Sequence, residues 1–254
     1  MTTVATTVLS GPGGEVRIGD EHPFAIIGER INPTGRKKLT AEICAGDMTT
    51  VQADALAQVA AGARILDLNA GVPGFDEPEM LSQVVRAVHE VVGVPLCIDS
   101  STPEALEAAV PLAQGKVLIN SVTAEAHSLE RLLPLVKRFG AAVIGMANDE
   151  EGISMDPGER LAAARKIVEA AADHGIARED VIIDPLTMPI GAAPDAAFLT
   201  MSILSGMNCA ITNPLHGAVR KATMAADLLL GRDEYGSAWI ADHRAAQAVA
   251  AAAG

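Results

Sequence analysis

Short apolar runs that each end in a carboxylate or a carboxamide limit what this chain can fold into more than any other feature. They read I-I-G-E (26–29), I-L-D-L-N (65–69), L-C-I-D (96–99), V-L-I-N (117–120) and I-I-D (182–184). A parallel strand covered on both faces is written as a continuous Val/Ile/Leu run, whereas a half-exposed strand alternates. In a closed α/β barrel the carboxyl ends of such strands converge on one mouth. Glu29, Asp67, Asn69, Asp99, Asn120 and Asp184 would then line a pocket rich in acceptors and poor in positive charge. Its natural ligand would carry several N–H donors.

The text between the runs reads as helix. Apolar spacing predicts helices near 48–61, 77–92, 103–112, 128–138, 157–174, 195–205 and 216–230, alternating with strands near 25–30, 64–69, 95–99, 117–121, 142–146, 181–185 and 208–213. Start signals agree: Thr102 before Pro103, Ser128, and Asp156 before Pro157 and Glu159 all read as N-caps. Gly62, Gly93, Gly140 and Gly175 sit where helix C-caps are expected. Before this alternation, residues 7–9 and 15–18 flank Gly11, Pro12, Gly13 and Gly14, which predicts a small hairpin within an N-terminal extension, 1–24.

Alternating β and α with short loops means parallel strands joined by right-handed crossovers, in an open sheet or a barrel. A dinucleotide-binding open sheet should carry G-x-G-x-x-G after its first strand. Here that strand runs into Arg30, Ile31, Asn32, Pro33, Thr34 and Gly35. The expected fold is therefore a TIM barrel over 25–240, followed by an alanine-rich helix or tail over 241–254. The count falls short, however. About seven strands are legible where a (β/α)8 barrel needs eight. One αβ unit is absent around 191–194, so that either the barrel closes differently or a segment is left out.

Composition excludes several functions. Four Phe, one Tyr and one Trp leave few platforms for stacking bases, and a net charge of -13 disfavours nucleic acid and anionic membranes. No run approaches the ~20 apolar residues of a membrane span, and the first residues lack a signal-peptide pattern. Three scattered cysteines, Cys44, Cys97 and Cys209, form no disulfide framework or zinc signature, so reduced thiols in a cytoplasmic protein are expected. The six histidines show no metal-ligand spacing, so no intrinsic metal is expected.

A carboxylate accepts two N–H bonds in a fork, and the amino-pyrimidinone edge of a pterin offers such a pair. Asp99 or Asp184 could hold that edge, and Asn120 could serve a mixed carbonyl and N–H edge. Met146, Met188 and Ile119 are candidates to sandwich a flat ring. A lone Asp after a strand is also a common N-cap. Thr102 is better placed than Asp99 for that role, and Pro185 disfavours a helix start at Asp184. Asp67 and Asn69 divide between barrel interior and mouth. Glu29 could instead be a buried partner of Arg30 or Arg64. Arg36, Lys37 and Lys38 read as a solvated loop run, with attraction of an anionic tail as the alternative.

I-I-G-E-R-I-N-P-T-G-R-K-K-L (26–39), L-D-L-N-A-G (66–71), C-I-D-S (97–100), I-N-S (119–121), I-G-M (144–146), E-E-G-I (150–153) and I-D-P-L-T-M-P (183–189) occur in that order. Together they resemble the pterin-binding methyltransferases that use methyltetrahydrofolate and a corrinoid protein. The folate domain of cobalamin-dependent methionine synthase and dihydropteroate synthase are more distant relatives. The resemblance implies a (β/α)8 barrel, commonly a homodimer. It also implies methyl transfer between N5 of methyltetrahydrofolate and the cobalt of a corrinoid (cobalamin) held by a partner protein. Asp99, Asn120 and Asp184 would hydrogen-bond the pterin, with Asp67 and Asn69 lining the same pocket. The family's N5-contacting Asn, on strand seven in S-N-x-S, has no counterpart in this text. Asn213, in T-N-P, matches a different position. Two other readings follow. One is a pterin-binding or corrinoid-docking subunit without catalysis. The other is dihydropteroate synthase, which the absence of G-F-x-K and S-R-K motifs disfavours.

Overall fold

The computed structural model describes residues 6–186 and 195–252. Two antiparallel strands, β1 (Thr7–Gly11) and β2 (Gly14–Ile18), form the expected hairpin. The main sheet contains β3 (Ala25–Ile31), β4 (Ile65–Leu68), β5 (Leu96–Asp99), β6 (Leu118–Thr123), β7 (Ala142–Met146), β8 (Val181–Asp184) and β9 (Cys209–Thr212). All seven are parallel, in the order β8-β7-β6-β5-β4-β3-β9. Among the described residues, that is the cyclic order of a TIM barrel with one strand missing between β8 and β9. The fold is α/β and TIM-barrel-like, and the missing strand falls where the sequence count fails. Residues 187–194, which include Met188, lie outside the described residues.

Helices cover the outer face: α1 (Lys37–Cys44), α2 (Thr49–Ala60), α3 (Glu77–His89), α4 (Pro103–Ala109), α5 (Ala126–Phe139), α6 (Pro157–Asp173), α7 (Asp195–Leu204), α8 (Gly217–Leu229) and α9 (Ser237–Ala252). Strand residues of one parity pack outward against them, among them Ile26, Leu66, Leu68, Ile98, Ile119 and Val143. The opposite parity faces inward. Ala25, Ile27, Ile65, Cys97, Leu118, Ala142 and Ile144 form a second apolar cluster with Leu9, Val16 and Ile18 of the hairpin. The hairpin therefore stoppers the amino-terminal end of the barrel. Ser10 N donates to Lys116 O at 3.1 Å, Gly13 N to Gly93 O at 2.8 Å, and Thr7 Oγ1 to Glu179 O at 2.5 Å.

Several local expectations are corrected here. Arg36 is no loop charge: it precedes α1, its guanidinium pairs with Asp54 at 2.6 Å, and Leu39 and Ile43 on α1 are buried. Ser128 lies inside α5, where its hydroxyl accepts from Thr123 N at 3.0 Å. Thr102 holds the N-cap position of α4, but its side chain makes no cap bond. Asp156 does cap α6, accepting from Gly158 and Glu159. Gly140 is a left-handed C-cap, while Gly93 serves close packing instead: a Cβ there would lie 2.8 Å from Gly13 N. Ile119 is fully buried under the helices, so it cannot sandwich a ligand at the mouth. Glu29 is exposed rather than buried, and the backbone N–H of Arg30 binds Gln58 while Arg64 donates to Pro23 O.

Candidate functional site

The carboxyl ends of β4, β5 and β6 open into a cavity of about 720 Å³, within the range of small-ligand sites. Asn69, Asp99, Asn120 and Met146 line it. Strand alternation places them there. Asp67 and Asn69 share parity on and just past β4, and Asp99 stands directly beside Asn120 across the β5–β6 pair.

Two amide–carboxylate rungs result. Asn120 Nδ2 donates to Asp67 Oδ1 at 3.1 Å, across the intervening strand. Above it, Asn69 Nδ2 donates to Asp99 Oδ2 at 3.0 Å, while Asn69 Oδ1 accepts from Gly71 N at 2.9 Å. These bonds fix both amides with their oxygens and nitrogens assigned. Asn120 turns its NH2 down onto Asp67, and its carbonyl is left to accept.

Electrostatics separate the two acids. Asp67 is 3% exposed. Burial, the nearby Asp99 charge and, more weakly, Glu29 push its carboxyl up to about 7, although Cys97 and Asn120 hydrogen bonds oppose this. Asp99 is also raised, by burial and by Glu77, against the Asn69 hydrogen bond. Like charges this close resist joint ionisation. A ligand N–H donor beside Asp99 would relieve that repulsion. Cys97, beneath Asp67, is a buried thiol whose pKa burial raises well above its ordinary value. It is a neutral packing residue.

Asp184 ends β8 beside Met146, two strands from Asn120 in the sheet order. Its Oδ1 accepts from Leu186 N at 2.8 Å. Arg160 of α6 anchors the following turn, donating to the carbonyls of Pro185 and Leu186 at 3.1 Å each. Asp184 therefore stands at the same end of the sheet but on its open edge, outside the cavity lining. Its field reaches Cys209 across the seam: burial first, and Asp184 second, push that thiol up to about 12. Glu29 is exposed at the same end.

Four of the six acceptor positions thus meet at one place: Asp67, Asn69, Asp99 and Asn120. Sequence reasoning missed the layer behind them. Glu77, at the start of α3, accepts from Ser100 Oγ at 2.5 Å and from Thr102 Oγ1 at 2.9 Å, which ties down the loop after Asp99. Thr102 spends its hydroxyl there instead of on a cap. His127 and Arg131, four residues apart on α5, also reach the cavity. Only their helical spacing hinted at a shared face.

Among the described residues, no group of three or more His, Cys, Asp or Glu could hold a metal ion, and no helix is long and apolar enough to cross a membrane.

Comparison with known proteins gives the family and the fold. A protein from Eubacterium limosum described as methylcorrinoid:tetrahydrofolate methyltransferase is 29% identical over 252 residues, 82% of this chain and 92% of that protein. Those 252 positions exceed the part of this 254-residue chain they cover, so the relative carries residues without a counterpart here. Dihydropteroate synthase from Xanthomonas albilineans, solved with 4-aminobenzoic acid, superposes with a TM-score of 0.56 at 19% identity, covering 93% of this chain and 99% of that one. The Yersinia pestis DHPS with a pterine–sulfa conjugate gives 0.53 at 16% identity, covering 94% and 99%. Both show the same fold. A family model described as pterin binding enzyme matches residues 28–254, and the chain belongs to that family.

Proposed function

We propose that this protein binds a tetrahydrofolate by its pterin ring and moves a methyl group between N5 and the cobalt of a corrinoid carried by a partner protein, in one-carbon metabolism. The observation that carries the reading is the pair of amide–carboxylate rungs, Asn69–Asp99 and Asn120–Asp67, which set Asn69, Asp99 and Asn120 on the wall of one cavity at the strand ends with Asp67 buried behind them. The acceptor set fits a pterin. Asp99 keeps one oxygen free of Asn69 and can accept from the ring N–H and NH2, and the Asn120 carbonyl is oriented to accept beside it. Asp184 adds an acceptor from the open edge, and Glu29 contributes negative charge at the rim. The Eubacterium limosum relative supports the reaction class.

The chemistry asks two things of these residues. They must hold the ring still, and they must favour positive character at the reacting amine, because only stabilisation that grows in the transition state accelerates the step. The buried acids supply a negative field with little water to screen it. The corrinoid supplies the methyl-accepting or methyl-donating centre and belongs to the partner. Two copies of the chain are proposed to pair, which the exposed apolar Leu229, Trp239 and Ile240 on α8 and α9 support.

The strand that is absent among the described residues favours a second reading, a pterin-binding subunit without turnover, since the family's N5-contacting Asn is expected on that strand. The test is methyl transfer from methyltetrahydrofolate to free cob(I)alamin, followed by loss of the Co(I) absorbance. Transfer supports the enzyme; tight folate binding without transfer supports the subunit; no folate binding removes both.

A further inference from the structure

The cavity has two chemically different ends. Asn69, Asp99 and Asn120 line it at the strands, and His127 and Arg131 line it over the β6–α5 connection. Among the described residues lining this cavity, Arg131 is the one Lys or Arg. Its guanidinium is barely engaged. Nη2 lies 4.0 Å from Glu104 Oε2, with the two side chains 43% and 68% exposed, and Nη1 is 3.1 Å from His127 Nε2. Ion pairs this long and this exposed contribute little, so the positive charge remains available. The other acids of the cavity do not pair with it: Glu77 accepts from Ser100 and Thr102, and Glu125, on the same rim, makes no ion pair among the described residues.

Such a cavity is complementary to a molecule with N–H donors at one end and a carboxylate at the other. A folate has that polarity: a pterin ring joined through an aminobenzoyl group to glutamate. We infer that Arg131, with His127 beside it, recognises the glutamate carboxylate of the folate whose pterin the strand ends hold. A guanidinium fork matches a carboxylate in a way a lysine does not. This inference rests on the pterin reading and names the residue that distinguishes folates from pterins without a tail.

The test compares two ligands, tetrahydrofolate and a tetrahydropterin lacking the aminobenzoylglutamate, by calorimetric titration of the full chain. Arg131→Ala should lose roughly tenfold in tetrahydrofolate affinity and leave the tailless pterin unchanged. Arg131→Lys should lose less, and added salt should weaken tetrahydrofolate binding more in the wild type than in Arg131→Ala. Glu104→Gln, which removes the long ion pair, should keep both affinities. Equal loss of both ligands in Arg131→Ala, a comparable loss in Glu104→Gln, or no loss in either variant overturns the inference while the pterin reading stands. A wild-type protein that binds neither ligand removes the pterin reading and this inference with it.

Discussion

Asp67 is where a single side chain has the widest consequences. Its carboxyl is raised to about 7 in the folded chain, against an ordinary value of 3.8. The folded state therefore holds a proton more tightly than the unfolded chain, so stability falls as pH rises from about 4 to 7. Asp67→Asn removes that penalty, and an amide oxygen can still accept from Asn120. The variant should melt above the wild type at pH 8, by roughly 2–4 °C for each kcal/mol recovered, and the difference should shrink at pH 4. A lower melting temperature at pH 8 would falsify the assignment. Binding tests the other acids. Asp99→Asn should weaken pterin affinity by roughly 1.5–3 kcal/mol, the scale of a hydrogen bond to a charged group, and Asp184→Asn should weaken it too. An unchanged dissociation constant for either variant excludes that residue from the pterin contacts. The acceptor positions were readable in the sequence because strand ends are marked by a change from apolar to polar. Glu77 was hidden, because an acid in a first helical turn has an ordinary explanation in the helix dipole. Its real partners, Ser100 and Thr102, lie more than twenty positions away.

Elements were legible where their pattern was local. The seven strands match the apolar runs closely, since a strand covered on both faces leaves an unbroken signature. α1 was lost because the sequence before Leu39 is so charged: Arg36, Lys37 and Lys38 mask a short amphipathic helix whose buried residues are few. Gly93 misled in a different way. Its position suggests a cap, but its role depends on a hairpin eighty residues earlier. With Gly13 N 2.8 Å from where a Cβ would stand, Gly93→Ala must push the hairpin off the barrel base or tilt β5. The substitution should cost about 1–3 kcal/mol, measured by denaturant unfolding. Unchanged stability would show that the hairpin packs loosely.

For the molecule as a whole, the decisive feature is the seam that lies unpaired between β8 and β9 among the described residues. Every other neighbouring pair in the sheet is hydrogen-bonded, and none of the eight residues of these two edge strands is fully buried, unlike those of the inner strands. Unpaired edges open more readily. Amides of β8 and β9 should exchange with solvent faster than those of β5 and β6. Equal protection would mean that something covers the seam in solution. The sequence revealed the shortfall by counting strands, but not how the sheet would respond. Keeping β9 against β3 preserves the closing side of the barrel, so the defect is confined to one edge and the Asp67–Asn120 region stays intact.

The hairpin under the barrel carries a kinetic consequence. With its floor sealed by Leu9, Val16 and Ile18, the barrel offers no exit at its amino-terminal end among the described residues. On the proposed reaction, a small guest lying beneath a docked macromolecule should depart after that visitor lifts away. Turnover should then slow at a large excess of the corrinoid-bearing protein, and rates that keep climbing to saturation would show another way out.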